Sequence, residues 1–262
     1  IADRIILPGP KRISCTKLSG SFSSFLFSAL YRHRLLHEYN HLIVLEDAEE
    51  AAYFHNDIEQ LINPVDLFYF PSSFKTNKNI REQSSSHVML RTETLSRWSK
   101  SGNKKIIVTY PEALTEKVVS SSVINQHTIS IKVNDKLLTD MLMERLIEYG
   151  FERTDFVYEP GQFAMRGGIF DIYSFGNEKP YRIELFGDEV DSIRIFDPET
   201  QLSERKLLQI NLIPKFDQPS EEQPRQDIFS FLPSNTIVYS SNWELMEDRY
   251  SDFFSQIPDD QQ

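Results

Sequence analysis

The sequence PYRIELFGDEVDSIRIFD, from Pro180 to Asp197, predicts two antiparallel β-strands joined by a tight turn at FGDE. Side chains alternate between the two faces of a strand, so one face of this pair is expected to be apolar and buried. The residues expected on that face are Ile183, Leu185, Ile193 and Ile195. The opposite face is expected to carry Arg182, Glu184, Phe186, Ser192, Arg194 and Phe196. The stretch therefore predicts a sheet whose polar face also carries phenylalanines.

A phenylalanine beside an arginine on a polar face is typical of a protein-interaction surface. The alternative is that a helix or a loop covers the ring. For Phe196 we favour the cover, because FDPETQ begins a turn that can fold over it. For Phe186 both interpretations stay open. Arg166, which precedes Gly167 and Gly168, is expected either to join the surface from a neighbouring strand or to be a solvated charge.

The rest of the chain predicts two fold classes, one after the other. The first ~115 residues alternate strand and helix signals, which predicts a parallel sheet covered by helices, an α/β arrangement. RISCTKL is expected to be its first strand, and SSFKTNKNIREQSSS a polar connection. After Pro111 the pattern becomes an antiparallel α+β module, in which Asp135 is expected to cap a helix that ends at Gly150. The final strand, NTIVYSS, and the helix after it are expected to rejoin the first sheet.

The charge and the cysteine content of the chain exclude several classes of function. The chain has 262 residues, of which 28 are basic and 39 acidic, and a net charge of -11. This balance excludes uniform wrapping of nucleic acid, because phosphate neutralisation needs a basic face, although a local basic patch is still allowed. The one cysteine, Cys15, excludes an intrachain disulfide and predicts a reducing, cytoplasmic location. No run approaches the ~18 apolar residues of a membrane span, so no membrane partner is expected.

The segment KLSGSFSS, from Lys17 to Ser24, stands where a nucleotide-binding protein keeps its phosphate loop. A working loop reads G-x-x-x-x-G-K-[ST], because its glycines let backbone N–H groups approach phosphate and its lysine neutralises charge. Here lysine replaces the first glycine, phenylalanine the second, and serine the lysine, while the last serine is kept. We call these residues the degenerate loop: Lys17, Gly20, Phe22, Ser23 and Ser24. A strand-to-helix turn with serine caps explains the segment better than ATP binding does.

The acidic residues of VLEDAEE raise a second question about nucleotide chemistry. A strand that ends in acidic residues can hold magnesium. We favour the alternative that Asp47 caps the following helix, since no lysine-bearing loop exists to pair with a magnesium site. No metal and no catalytic residue are therefore predicted for this chain.

The stretch GFERTDFVYEPGQFAMRGGIFDIYSFGNEKPYRIELFGDEVDSIRIFDPETQLS resembles the second domain of the bacterial transcription-repair coupling factor (Mfd) family. The resemblance is strongest in RGGIFDIY, in PYRIELFGDEVDSIRIFD and in the distal INLIP, and weaker in SGSFSS, DLFYFP and IIVTYPEAL upstream. The same module occurs in the excision-repair helicase UvrB. UvrB, however, has an intact phosphate loop and a tyrosine-rich hairpin that clamps damaged DNA, and nothing between Phe70 and Ile106 looks like that hairpin. The Mfd family is therefore favoured.

The resemblance implies three domains: a degenerate helicase-like α/β domain 1a at 1–118, an inserted α+β domain 2 at 119–210, and domain 1b at 211–262, which packs back on 1a. It also implies a non-catalytic scaffold that recruits UvrA through Arg166, Arg182 and Phe186. ATP and magnesium are expected only in the later translocase domains of the full-length factor, which also bind RNA polymerase and DNA. The factor's own C-terminal domain is expected to mask the UvrA surface.

Two alternatives to the UvrA scaffold stay open at this stage. One is a UvrB-like protein that binds damaged DNA in a nucleotide-dependent way. The other is a structural domain that only packs against the rest of its own chain. Both can be separated from the scaffold by measuring ATP binding and UvrA binding.

Overall fold

A computed structural model describes residues 1–7, 12–62, 67–77, 80–99, 104–175, 177, 179–214 and 225–255. The chain divides into two compact units. Unit 1 comprises Ile1–Arg81, Lys100–Val118 and Gln226–Gln262, and unit 2 comprises Glu82–Ser99 and Val119–Arg225. Residues 82–99 thus cluster with unit 2, although they were expected to belong to domain 1a, and the three-domain division stays a prediction.

Unit 1 is an α/β unit built on a four-stranded parallel sheet with strand order β16-β1-β5-β2. Its strands are β1 (Asn40–Val44), β2 (Leu67–Tyr69), β5 (Ile106–Thr109) and β16 (Thr236–Ser240). Its helices are α1 (Ala2–Ile5), α2 (Phe22–Tyr31), α3 (Ala48–Leu61), α5 (Pro111–Thr115), α8 (Ile228–Phe231) and α9 (Trp243–Ser255), with a 3-10 turn at Arg34–Leu36. The predicted parallel sheet is confirmed, and the last strand does rejoin it beside β1.

Helix α3 shows why the first region folds in this way. Its apolar residues Ala51, Phe54 and Ile58 recur at helical spacing and are buried. Asp47 caps the helix, since its side chain accepts a hydrogen bond from the Glu50 N–H at 2.9 Å. The capping role predicted for Asp47 is confirmed.

Two predictions for the first region are wrong. Residues 12–18, RISCTKL, are described by the structure and are not in a strand; most of them are exposed and Lys17 takes a left-handed φ of 64°. A strand needs a hydrogen-bonded neighbour, and alternation in the sequence alone does not supply one. The predicted polar connection instead holds a two-stranded sheet of β3 (Phe74–Asn77) and β4 (Ile80–Gln83), which uses the strand-favouring residues among the polar ones.

Unit 2 is an α+β unit centred on a six-stranded sheet with strand order β13-β12-β11-β10-β9-β8. Its strands are β8 (Glu152–Arg153), β9 (Gln162–Arg166), β10 (Ile169–Ile172), β11 (Tyr181–Phe186), β12 (Glu189–Phe196) and β13 (Ser203–Leu207). All neighbours are antiparallel except β8 and β9. The remaining elements of unit 2 are α4 (Ser85–Ser99), α6 (Ser121–His127), α7 (Thr139–Glu148), β7 (Ile129–Lys132) and β14 (Gln209–Leu212). The two-residue strands β6 (Val118–Val119) and β15 (Arg225–Gln226) each have one residue in either unit.

The main core of unit 2 lies on one face of this sheet, which we call the inner face. Ile183 of β11 and Ile193 of β12 are directly opposite each other and fully buried there. Leu142 and Leu146 of α7 belong to the same apolar cluster. Helix α7 ends at Glu148, and Gly150, the residue predicted to end it, follows the C-cap residue Tyr149 with a φ of 81° that favours glycine. It begins at Thr139 rather than beside Asp135, so the cap predicted at Asp135 is wrong: that carboxylate accepts from the Lys132 N–H in a turn.

Candidate functional site

Two strands of unit 2 carry the sequence-predicted residues Arg166, Arg182 and Phe186. Arg166 ends β9, whereas Arg182 lies in β11 and Phe186 ends it. Arg166 stands opposite Ile169 on β10, and Ile169 stands opposite Glu184 on β11. Glu184 is two residues from both Arg182 and Phe186, so these residues all point to the same face of β11. The three side chains therefore share the face of the sheet that is opposite the main core. We call this the outer face.

Arg182 and Phe186 share a face without touching. They are four residues apart along β11, which corresponds to about 13 Å at the usual rise of a strand. Arg166 lies between them in the row of Glu184. A partner that contacts all three residues must cover at least this length of the sheet.

Asp171 of β10 lies between the two arginines and is fully buried. It stands opposite Arg182, and its Oδ1 and Oδ2 accept hydrogen bonds from the Arg182 Nε and Nη2 at 2.8 and 2.9 Å. Oδ2 also accepts from the Arg166 Nη2 at 2.5 Å. The hydrogen bond to Asp171 raises the pKa of the Arg182 guanidinium above its usual range. A buried carboxylate needs such partners, because an unpaired charge in the interior is strongly unfavourable.

Arg182 is further held by the turn that follows β12. Its guanidinium lies 4.3 Å from the centre of the Phe196 ring, and its Nη1 donates to the Gln201 carbonyl oxygen at 2.9 Å. Only 14% of the Arg182 side chain is exposed. Phe196 itself is fully buried in a small cluster with Val157, so the cover predicted for this ring is confirmed.

Arg166 is the more accessible of the two arginines, with 33% of its side chain exposed. In addition to Asp171, it donates to the backbone carbonyl oxygen of Asp155. Its guanidinium lies 4.6 Å from the centre of the Phe156 ring, which is itself exposed. The outer face therefore presents an arginine stacked on an aromatic ring, an arrangement that suits contact with a protein partner.

Phe186 is 83% exposed at the end of the β11–β12 hairpin. The chain turns directly after it at Gly187, whose φ of 62° favours glycine. Leu185 was expected to be buried, but it is only half-buried against the main core, because the register of β12 shifts beside it and the hairpin is close to its end. The open choice for Phe186 is resolved in favour of an exposed ring.

Sequence reasoning missed three residues of the outer face: Asp171, Gln201 and Phe156. A signal for Asp171 exists, since a lone carboxylate inside the apolar strand IFDI calls for a cation on a neighbouring strand. Phe156 carries a weaker signal as an aromatic residue in a polar loop. For Gln201 the sequence offers none, because its role depends on a left-handed φ of 60° and on its distant contacts.

The degenerate loop forms a different arrangement in unit 1. The N-cap of α2 is Ser21, and within the described residues its side chain makes no capping hydrogen bond, so the predicted serine cap is wrong. Phe22 is exposed at the first position of the helix, and Ser23 directly follows it. Ser24 is buried, and its hydroxyl donates to Asp57 Oδ2 at 3.1 Å. Gly20 takes a φ of 55°, and an added Cβ would meet no atom within 4 Å.

Three further observations bear on the class of site. Within the described residues, no group of three or more histidine, cysteine, aspartate or glutamate side chains could hold a metal ion. Among the helices that the structure describes, none has the length and apolar character that crossing a membrane requires. Lys17 and Cys15 are exposed in the irregular segment before α2.

Residues 129–217 match the UvrB interaction domain family. Arg166, Arg182, Phe186 and Asp171 all lie inside the matched residues, and the degenerate loop lies outside them.

Curated relatives extend the similarity beyond that domain. A transcription-repair-coupling factor of Bacillus subtilis is 34% identical over 199 residues, which is 75% of this chain and 16% of the relative. The factor of Escherichia coli is 27% identical over 187 residues, covering 69% of this chain and 16% of the relative. That of Staphylococcus haemolyticus is 29% identical over 205 residues, covering 78% and 17%. The chain thus spans about one sixth of the length of these relatives, and the predicted resemblance to the UvrB-like N-terminal region of Mfd is confirmed.

Proposed function

We propose that this chain is the UvrB-like module of a transcription-repair coupling factor and serves as a non-catalytic scaffold that recruits UvrA in DNA repair. The UvrB interaction domain and the similarity to transcription-repair-coupling factors support the general role. The outer face of the six-stranded sheet supplies the contact surface in this proposal. In the full-length factor, RNA polymerase and DNA are bound by later domains, and the C-terminal domain masks the outer face until UvrA is needed.

The exposure of Phe186 is the observation that carries the proposal. A largely exposed phenylalanine ring on a charged sheet face contributes little to folding, whereas an aromatic anchor at the centre of an interface typically contributes about 2 kcal/mol or more. That amount corresponds to roughly thirtyfold in affinity. Arg166, stacked on Phe156 and partly exposed, supplies the second anchor type that interfaces favour.

The non-catalytic part of the proposal rests on the degenerate loop. Phe22 places a bulky side chain where a phosphate must approach the backbone, and Ser23 lacks the charge of the usual lysine. The Ser24 hydroxyl, which would face magnesium in a working loop, is hydrogen-bonded to the carboxylate of Asp57. ATP and magnesium therefore belong, in this proposal, to the translocase domains of the full-length factor.

A UvrB-like nucleotide-dependent protein that binds damaged DNA is the second candidate. The β3–β4 sheet favours it, because this sheet lies in the region where UvrB carries its DNA-clamping hairpin. The composition of that region weighs against it, since residues 71–105 contain no tyrosine to stack on DNA. The net charge of -11 also disfavours tight binding to a polyanion.

The test is the affinity of purified UvrA for the chain and for its Phe186→Ala variant, measured by biolayer interferometry. Phe25→Ala is the matched control, since Phe25 is also an exposed phenylalanine, at 58%, but lies on α2 in unit 1. We expect Phe186→Ala to weaken UvrA binding by roughly thirtyfold and Phe25→Ala to leave it unchanged. Equal affinity of the wild type and Phe186→Ala, or no binding of UvrA at all, would contradict the proposal.

A further inference from the structure

The outer face contains a buried aspartate that cannot itself reach a partner. Asp171 is 0% exposed, and both of its carboxylate oxygens are occupied by the two arginines. Its position follows from the register of the sheet, because β10 lies between β9 and β11 and brings Asp171 between their arginines. A carboxylate in this place can influence binding only through the side chains that it holds.

The two arginines differ in what this carboxylate leaves free. Arg182 gives its Nε and Nη2 to Asp171 and its Nη1 to Gln201, and one face of its guanidinium lies on the Phe196 ring. Arg166 gives Asp171 a single Nη2 contact and keeps a third of its side chain exposed over Phe156. Arg182 is therefore fixed within the sheet surface, and Arg166 faces outward.

We infer that Asp171 is a positioning residue of the partner-binding surface. It holds Arg182 flat on the sheet and, through its hydrogen bond with Arg166, aims that arginine at the partner. In this arrangement Arg166 and Phe186 make the direct contacts, and Arg182 acts largely through Asp171. The inference rests on the proposed function, since the partner is the UvrA of that proposal. It adds a residue that does not touch UvrA and assigns different roles to the two arginines.

A purely structural role for Asp171 is the competing explanation. Substitution of Asp171 would then lower the affinity for UvrA only to the extent that it unfolds the sheet, and this decrease would be independent of Arg166. A double-mutant cycle separates the two explanations, because residues of one network show coupled effects whereas independent residues show additive effects. Asp171→Asn is the appropriate change, since it keeps the shape of the side chain and removes its charge.

The experiment measures UvrA affinity for the chain and for its Asp171→Asn, Arg166→Ala and doubly substituted variants. Each single change is expected to weaken binding about tenfold, and the double variant no further, because both remove the same oriented guanidinium. Ile193→Ala is the destabilised control: it lies in the main core on the inner face and should retain wild-type affinity at temperatures where it is folded. Wild-type affinity of Asp171→Asn, or a double variant about a hundredfold weaker, would overturn the inference.

Arg182→Lys provides a second variant if Asp171→Asn does not fold. Lysine keeps the positive charge but cannot make the two-pronged contact with Asp171, so UvrA affinity is again expected to fall about tenfold. Wild-type affinity of this variant would also overturn the inference.

A spectroscopic measurement distinguishes failure of this inference from failure of the proposed function. In the wild-type chain the Nε–Hε group of Arg182 is expected to give a protected NMR signal, and the Arg166 signal is expected to change in Arg182→Lys. If UvrA does not bind the wild type, the proposed function fails, and this measurement still tests the positioning of Arg166. An unchanged Arg166 signal in Arg182→Lys would show that the network does not orient it.

Discussion

Replacing Arg182 by alanine is expected to destabilise unit 2 by about 3–5 kcal/mol, because it leaves a buried carboxylate without its main partner. Asp171 is fully buried and receives two of its three side-chain hydrogen bonds from Arg182. The contact of the Arg182 guanidinium with the Phe196 ring is lost as well. On sequence grounds alone, an outward-facing arginine would be expected to tolerate alanine with little change in stability.

Urea unfolding followed by tryptophan fluorescence can measure this loss in unit 2 specifically. The chain has two tryptophans, of which Trp98 lies in unit 2 and Trp243 in unit 1. In a Trp243→Phe background the fluorescence of Trp98, which is buried in α4, reports the unfolding of unit 2. This separation matters because a chain with two compact units need not unfold in a single step.

Arg194→Ala is the matched control for this prediction. Arg194 stands directly opposite Arg182 on β12 and pairs with Glu184 at 3.1 Å, but both members of that pair are about one-third exposed. A partly exposed pair contributes about 0.2–1 kcal/mol, so this variant should remain close to the wild type. A loss below about 1 kcal/mol for Arg182→Ala would refute the reasoning that a buried carboxylate depends on it.

Four further outcomes are expected. Phe186→Ala should change the stability of unit 2 by no more than about 0.5 kcal/mol, whereas Ile183→Ala, in the main core, should cost about 2–5 kcal/mol; comparable losses in urea unfolding would place Phe186 in the core. Calorimetry with magnesium-ATP should give no saturable heat, and micromolar binding lost on substitution within residues 17–24 would contradict the interpretation of the degenerate loop. A gel-shift assay at physiological salt should detect only weak, non-specific DNA binding, and tight damage-selective binding would favour the UvrB-like alternative. Burial and the nearby charge of Lys104 lower the pKa of His41 from 6.5 to about 4. The free energy of unfolding of unit 1 should therefore be highest above pH 6.5 and should decrease by roughly 3 kcal/mol as the pH falls to 4. Unfolding followed by Trp243 fluorescence measures this decrease, and His41→Phe should remove the pH dependence.

The hairpin of β11 and β12 was predictable because the alternation of side chains is a local property of a strand. Ile183 and Phe186 therefore fall on the expected faces, and the buried run at β1 correctly indicates a parallel sheet. The position of Asp171 was not predictable from its own strand, because its partners come from two other strands and depend on the register between them. The burial of Arg182 was not predictable either, because an arginine in an alternating strand is expected to face solvent. It is buried because the turn at Gln201 and the carboxylate of Asp171 on the neighbouring strand both contact it.

The segment RISCTKL shows the opposite error, in which a local pattern suggests structure that no neighbour supports. Alternation of apolar residues is necessary for a half-buried strand, but the strand forms only where another strand accepts its backbone hydrogen bonds. The prediction that Asp135 caps helix α7 is wrong for a related reason. Its carboxylate is used by the turn at Lys132, so the helix starts only at Thr139.

The pairing of β16 with β1 sets an order of events during synthesis of the chain. Asn40 is opposite Thr236, so the sheet of unit 1 stays incomplete until residues 236–240 have left the ribosome. All of unit 2 lies between Glu82 and Arg225 and can therefore fold earlier, while β1 waits with an open edge. An uncovered edge of buried, apolar strand residues is prone to pair with other chains. A nascent chain that stops after residue 225 is thus expected to aggregate through unit 1 even though unit 2 is already folded.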